Sequence, residues 1–235
     1  MKSKIKFILF EPSHPGNVGA AARAIKTMGF EKLCLINPIE HPHSEARARS
    51  SGALDVLLNA EVFDNLQDAI KGCGLIIGTT SRTRRISVPI TNIRETAPSI
   101  VAEAKQKSVA VIFGPEKSGL INAQVDCCNQ LVNIPSIGSY KSLNLAMAVQ
   151  IVAYELRVAN EALPVEIKAR NLASNEDIEL FYNHLNQVLL ETGFLDPKNP
   201  KQLMRRLRTL FNRAQMDENE INIMRGILAS YNTQE

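Results

Sequence analysis

No stretch of the 235 residues approaches 18 uninterrupted apolar positions, which excludes a membrane-spanning helix. No CxxC pair occurs. The four cysteines are Cys34, Cys73, Cys127 and Cys128, the last two adjacent, and they read as free buried thiols of a reducing, cytoplasmic compartment. The start, Met1 to Phe10, is basic and then briefly apolar, but it runs into Glu11-Pro12 without a small-residue cleavage site; it reads as a first strand, not a signal peptide. There is no GxGxxG after that strand, no GxxxxGK[ST], no HExxH and no GxSxG, so the common nucleotide, metalloprotease and hydrolase signatures are missing. Internal repeats and low-complexity tracts are also absent. His41-Pro42-His43 is a proline-kinked pair with no third ligand type beside it, so no metal is expected. His14, next to the first loop, reads as a surface histidine.

What is present is an ordinary globular composition, 45% apolar and 22% charged, with a formal net charge of +3. The charge is uneven. Residues 1–160 carry 18 Lys/Arg against 13 Asp/Glu, and residues 161–235 carry 9 against 11. Two basic clusters stand out: Arg82, Arg84 and Arg85 in one loop, and six bases with no acid between Pro197 and Met216. Two such clusters on a mildly basic chain favour a phosphate-bearing partner.

Short apolar runs at 5–10, 32–36, 75–78, 109–113 and 130–134 read as buried strands. Helical patterns at 19–28, 65–71, 94–105 and 142–160 lie between and after them. This βα alternation predicts an α/β fold with a mostly parallel sheet covered on both faces. The last of these helices is apolar nearly all round, so it must be buried on more than one side; a second copy of the chain is the simple occupant of the outer side. Residues 161–174, with Pro164 and mixed charge, read as a linker between a domain at 1–160 and a small helical unit at 175–235. Helices are expected there at 175–191, 200–213 and 217–231. In the second of them Lys201, Arg205 and Arg208 fall at i, i+4 and i+7, which predicts a basic stripe.

Three polar loops follow predicted strands. They are Ser13 to Arg23, Gly78 to Arg82 and Phe113 to Leu120, and a further segment runs from Ile134 to Ala146. Ligands of open parallel sheets collect at the carboxyl ends of strands, so together the loops predict one polar pocket at a sheet edge.

These residues carry a family resemblance. NxGxxxR (Asn17 to Arg23), FGPExxGL (Phe113 to Leu120) and IPxxGxYxSLNLAxAV (Ile134 to Val149) resemble, in order, the three motifs of the SpoU/TrmH branch of the SPOUT RNA methyltransferases. The wider chain, including LFEPSHPGNVGAAARAIKTMGF and INIMRGILAS, is similar to the TrmJ group of that branch. The resemblance implies transfer of a methyl group from S-adenosylmethionine to a ribose 2′-hydroxyl of tRNA, at cytidine or uridine 32 of the anticodon loop. It implies a C-terminal trefoil knot on the α/β domain, a homodimer, and neither DNA nor a membrane as partner. By resemblance, Thr79, Thr80, Ser81, Gly114, Glu116, Ile134, Lys141, Ser142 and Leu143 would bind the cofactor, and Arg23, Ser142, Asn17 and Asn144 match the catalytic positions.

The family's proposal makes Arg23 the base. A guanidinium accepts no hydrogen bond while charged. The reading preferred on those grounds has Arg23 bind the adjacent phosphate and stabilise developing alkoxide charge, while Ser142 and Asn17 orient the hydroxyl. For Asn144, a helix N-terminal hydrogen bond is an alternative role. RNA contacts are expected from Arg23, Arg82, Arg84, Arg85, Lys201, Arg205 and Arg208. Methylation of another tRNA position or of ribosomal RNA, and a knotted RNA-binding module without turnover, remain as competing readings.

Overall fold

The computed structural model describes residues 4–82, 88–137, 142–161 and 171–231. The chain opens with β1 (Ile5–Phe10), α1 (Pro15–Thr27) and β2 (Lys32–Ile36). Then come α2 (Ser44–Ser50), a 3-10 turn at Ser51–Ala53, α3 (Leu54–Leu58), β3 (Glu61–Phe63), α4 (Leu66–Ile70) and β4 (Cys73–Thr79). Next are β5 (Ile90–Asn92), α5 (Ile93–Ala104), β6 (Ser108–Phe113), α6 (Asn122–Val125), β7 (Gln130–Asn133) and α7 (Leu145–Glu161). Three helices follow, α8 (Asn175–Glu191), α9 (Leu203–Ala214) and α10 (Glu218–Tyr231).

The seven strands form one sheet in the order β3-β2-β1-β6-β4-β7-β5, every described pair parallel. β6 is inserted between β1 and β4, and β7 between β4 and β5. All carboxyl ends therefore lie along one edge, where loops from strands far apart in sequence meet. Central strands need apolar side chains on both faces, and β1, β4 and β6 supply them as nearly unbroken runs. One core lies between the sheet and α1, α5 and α7; it includes Phe7, Ile25, Phe113, Val152 and Leu156. The opposite face carries a second core, with Ile70 of α4 and Val125 of α6 packed on Ile8, Ile76 and Ile112.

Local chemistry sets the helix ends. α1 starts at Pro15, four residues earlier than the apolar pattern suggests, because proline at the first helical position loses no needed hydrogen bond. Gly29 (φ +80) and Gly72 (φ +70) end the helical segments before them in the left-handed conformation expected of C-terminal glycines. The three-residue strands β3 and β5 and the short helices α2, α3 and α6 were not expected. α7 starts at Leu145, three residues later than expected, and α9 at Leu203. Lys201, at φ +49, stands ahead of α9 and shares no helical stripe with Arg205 and Arg208.

α8, α9 and α10 enclose a small core of their own, in which Phe181 meets Phe211 edge-on at 4.9 Å between centroids. This unit docks on the amino ends of the strands. Lys107, just before β6, bonds the Leu172 carbonyl and pairs with Glu218. Asn212, buried, donates to the carbonyls of Asp126 (2.9 Å) and Cys128 (3.2 Å), just before β7. Two residues of the expected linker at 161–174 are packed in these cores. Leu172 belongs to the sheet domain's core and Ala173 to that of the helical unit. Residues 138–141, within the segment where the knot is expected, and 162–170 lie outside the described residues.

Candidate active site

A cleft of about 420 Å³ opens at the carboxyl ends of β6, β4 and β7, beneath the first turn of α7. That size suits a nucleoside-sized ligand. Its walls come from the marked loops at 78–82 and 113–120 and from the segment 134–146; no residue of the first loop, 13–23, lines it, and neither does Asn144. Thr79, Thr80, Ser81, Gly114, Glu116, Ile134, Ser142 and Leu143 all line it. Arg82, expected to meet RNA, lines it too. Lys141, Arg84 and Arg85 lie outside the described residues.

The loop after β6 holds its shape through glycine. A Cβ on Gly114 would sit 2.3 Å from the Leu120 amide nitrogen and 2.4 Å from the Gly119 carbonyl carbon, so two stretches of backbone touch where a side chain would stand. Gly119 turns the chain at φ +61, and its N–H donates to the Pro115 carbonyl at 2.8 Å. The loop after β4 is tied to its neighbours. Thr79 Oγ1 donates to the Ile112 carbonyl (3.0 Å), and the Thr80 N–H donates to the Val132 carbonyl (2.9 Å).

At the rim a chain of hydrogen bonds joins all three motif segments. Glu116 accepts from the Ser13 amide (3.0 Å), the Ser13 hydroxyl (2.8 Å) and Asn17 Nδ2 (2.9 Å). Asn17 Oδ1 in turn accepts from Asn144 Nδ2 at 2.9 Å. Asn144 Oδ1 accepts from the amides of Ala146 (2.9 Å) and Met147 (3.4 Å), capping α7. The helix N-terminal hydrogen bond considered for Asn144 is therefore present, alongside its bond to Asn17. Burial alone would raise the Glu116 pKa, but the hydrogen bonds from Asn17 and Ser13 outweigh it and hold the carboxyl below its usual range. The carboxylate stays charged beside the start of α1, where the helix dipole favours it.

Arg23 lies six residues past Asn17 on α1, about 9 Å along the axis, with its side chain exposed. It does not line the cleft, and no ion pair engages it among the described residues. Arg205 and Arg208 correct the expectation of a free basic stripe. Arg205 Nε pairs with Asp126 at 3.0 Å, and Arg208 pairs with Glu179 at 2.6 Å while its guanidinium stacks 4.2 Å over the Tyr182 ring. Both are structural contacts of the helical unit. The exposed bases of this region are Lys198, Lys201, Arg206 and Arg213, and none of them lines the cleft.

The family model of the SpoU rRNA methylases matches residues 4–154. The chain belongs to the SpoU methylase family. A second model, the C-terminal domain of the tRNA methyltransferase TrmJ, matches residues 176–235. The tRNA (cytidine/uridine-2′-O-)-methyltransferase TrmJ of Klebsiella pneumoniae is 45% identical over all of this chain and 98% of its own length. The crystal structure of TrmJ from Z. mobilis superposes with a TM-score of 0.84 at 30% identity, covering 97% of this chain and 99% of that one. A probable methylase family protein from Haemophilus influenzae aligns at a TM-score of 0.65 and 36% identity, over 100% of this chain and 98% of that one. Cleft residues missed from sequence, such as Pro115, Lys117, Ser118 and Leu120, lie inside the FGPExxGL motif and were marked by it.

Proposed function

We propose that this protein is an S-adenosylmethionine-dependent tRNA 2′-O-methyltransferase acting on cytidine or uridine 32 of the anticodon loop. The observation that carries the reading is that the second and third motif segments line one cleft and the first is joined to them through Glu116, Asn17 and Asn144. The likeness to TrmJ proteins over both parts of the chain supports tRNA as the substrate.

The cleft residues fit the cofactor. The cleft's mixed polar and apolar walls suit an adenosine and a cationic methionine end. The bound cofactor supplies a methyl group on sulfonium, already activated. The protein's task is then to position the two reactants. Asn17 is held at both ends, by Glu116 and by Asn144, so it presents a fixed amide at the rim. Ser142, exposed on the cleft wall, is placed to orient a ribose hydroxyl. Arg23, charged and exposed, holds the neighbouring phosphate and stabilises charge developing on the ribose oxygen.

The dimer forms part of this reading. On α7 the apolar Met147, Tyr154 and Val158 are exposed, with half-buried Ile151 between them. They fall at i, i+4, i+7 and i+11, one continuous stripe that a second copy would cover. The deciding experiment incubates the purified protein with labelled S-adenosylmethionine and unmodified tRNA transcripts, then maps the product by digestion and mass spectrometry. A 2′-O-methyl group on nucleotide 32 is expected. A mark at another position, or only on ribosomal RNA, would replace the substrate assignment and keep the chemistry.

A further inference from the structure

α1 and α2 lie side by side and run the same way from the cleft's edge of the sheet. A Cβ on Gly16 would meet the Glu45 carboxylate at 2.5 Å, and one on Gly19 would meet the Ala46 carbonyl at 2.0 Å. Two turns on from Gly19, Lys26 reaches the Gly52 carbonyl (3.0 Å) and Asp55 (2.7 Å). These contacts trace one seam along α1. Arg23 lies between them, four residues past Gly19 and three before Lys26, so it stands on the α2 side of the helix.

On α2, Glu45 and Arg49 are four residues apart and share a face. Glu45 is the residue that reaches over Gly16, so Arg49 leans over the same groove one turn further on. Ala46 and Ser50 are buried beneath it. From the contact between Gly19 and Ala46, Arg23 is displaced by about 6 Å along its axis and Arg49 by about 4.5 Å. The two residues thus stand at nearly the same depth on opposite walls. Both side chains are exposed, and neither has an ion-pair partner among the described residues. Glu45 sits one turn nearer the sheet edge, and no described ion pair joins it to Arg49. Arg47, two residues from both Glu45 and Arg49, points to a different side of α2.

Two like charges across one groove repel unless an anion lies between them. Resting on the proposed reaction, we propose that Arg49 is a substrate-binding residue, and that with Arg23 it grips a backbone phosphate of the RNA in the α1–α2 groove. Arg82, at the rim, and this groove then define a path for the strand on either side of the nucleotide held beside Asn17. A phosphate contact positions the strand without reading its sequence.

The test uses the full chain with an unmodified tRNA transcript. Arg49→Glu should raise the KM for tRNA about tenfold with kcat within about twofold of the parent, and leave S-adenosylmethionine affinity unchanged. In filter binding, Arg49→Gln should reduce the slope of log K against log salt by about one. Arg47→Glu, on the other side of the helix, should change KM by less than twofold. An unchanged KM and salt slope for both Arg49 variants would overturn the proposal. So would equal losses for Arg47→Glu and Arg49→Glu, which would reduce the effect to general surface charge. Failure of the underlying reading looks different: the parent protein itself would transfer no methyl group to any RNA, whatever residue stood at 49.

Discussion

Asn17 is the residue on which the site's geometry turns, because its amide has a different partner at each end. Its Nδ2 faces the Glu116 carboxylate and its Oδ1 faces the Asn144 amide. Replacing it with Asp is nearly isosteric but sets a carboxylate 2.9 Å from Glu116. Losing a hydrogen bond to a charged group costs about 1.5–3 kcal/mol, and like-charge repulsion adds to that. Asn17→Asp should therefore lower kcat/KM by at least tenfold, and by more than Asn17→Ala does; steady-state methyl transfer checks the order. The same network gives a pH signature. The Glu116 pKa is lower in the folded protein than in the unfolded chain, so its contribution to stability is fully present above about pH 4.5 and is lost as pH falls through the folded value. The stability difference between the parent and Glu116→Gln, read from denaturant melts, should be constant from pH 5 to 8 and shrink in more acid solution. Cysteine chemistry is set by burial in the same way. Burial pushes the Cys34 and Cys73 thiols up to about 12 and about 11, which leaves both inert to alkylation in the native state.

Helix α9 shows how much of an element a sequence reveals and where it stops. Its leucines and its basic residues mark an amphipathic helix, and that much is legible from spacing. Which basic face meets solvent is not, because the acids that claim Arg205 and Arg208 lie 79 and 29 residues away, at Asp126 and Glu179. Arg205→Gln and Arg208→Gln should thus lower the melting temperature by a few degrees with little effect on RNA affinity. Arg206→Gln with Arg213→Gln should do the reverse; thermal melts and filter binding separate the two pairs. The buried strands were legible for a simple reason: β1, β4 and β6 need apolar side chains on both faces. β3 and β5 escaped because they are three-residue edges with exposed or half-buried positions. α2, reading SEARARS, escaped because its burial rests on Ala46 and Ser50 alone. Its placement is nonetheless strict. Gly19→Ala would press a methyl group against the Ala46 carbonyl and should cost roughly 1–3 kcal/mol in a denaturant melt.

At the scale of the molecule, the motif segments and a shared pocket at the sheet edge were legible, and the contacts that join the segments were not. Ser13 and Glu116 are 103 residues apart, and only the insertion of β6 beside β1 brings them together. The helical unit poses the opposite case. It docks on the amino ends of β6 and β7 through Lys107, Asp126 and Asn212, whereas the cleft lies at the carboxyl ends. The exposed bases Lys198, Lys201, Arg206 and Arg213 belong to that unit, and none of Lys107, Asp126 and Asn212, through which it docks, lines the cleft. A phosphate held there would belong to RNA outside the cleft, either beyond the target nucleotide or serving the other site of a dimer. Substrate length separates this from a local role. On full-length tRNA, Arg206→Glu with Arg213→Glu should raise KM about tenfold or more, since every phosphate left without its cation weakens binding at physiological salt. On a short anticodon stem-loop the same variant should match the parent. An equal loss on both substrates would mean that these bases act beside the target nucleotide, reached from the partner copy across α7. Met147→Lys with Tyr154→Glu would then decide which copy supplies them: a protein monomeric in sedimentation should lose the stem-loop effect while keeping its fold.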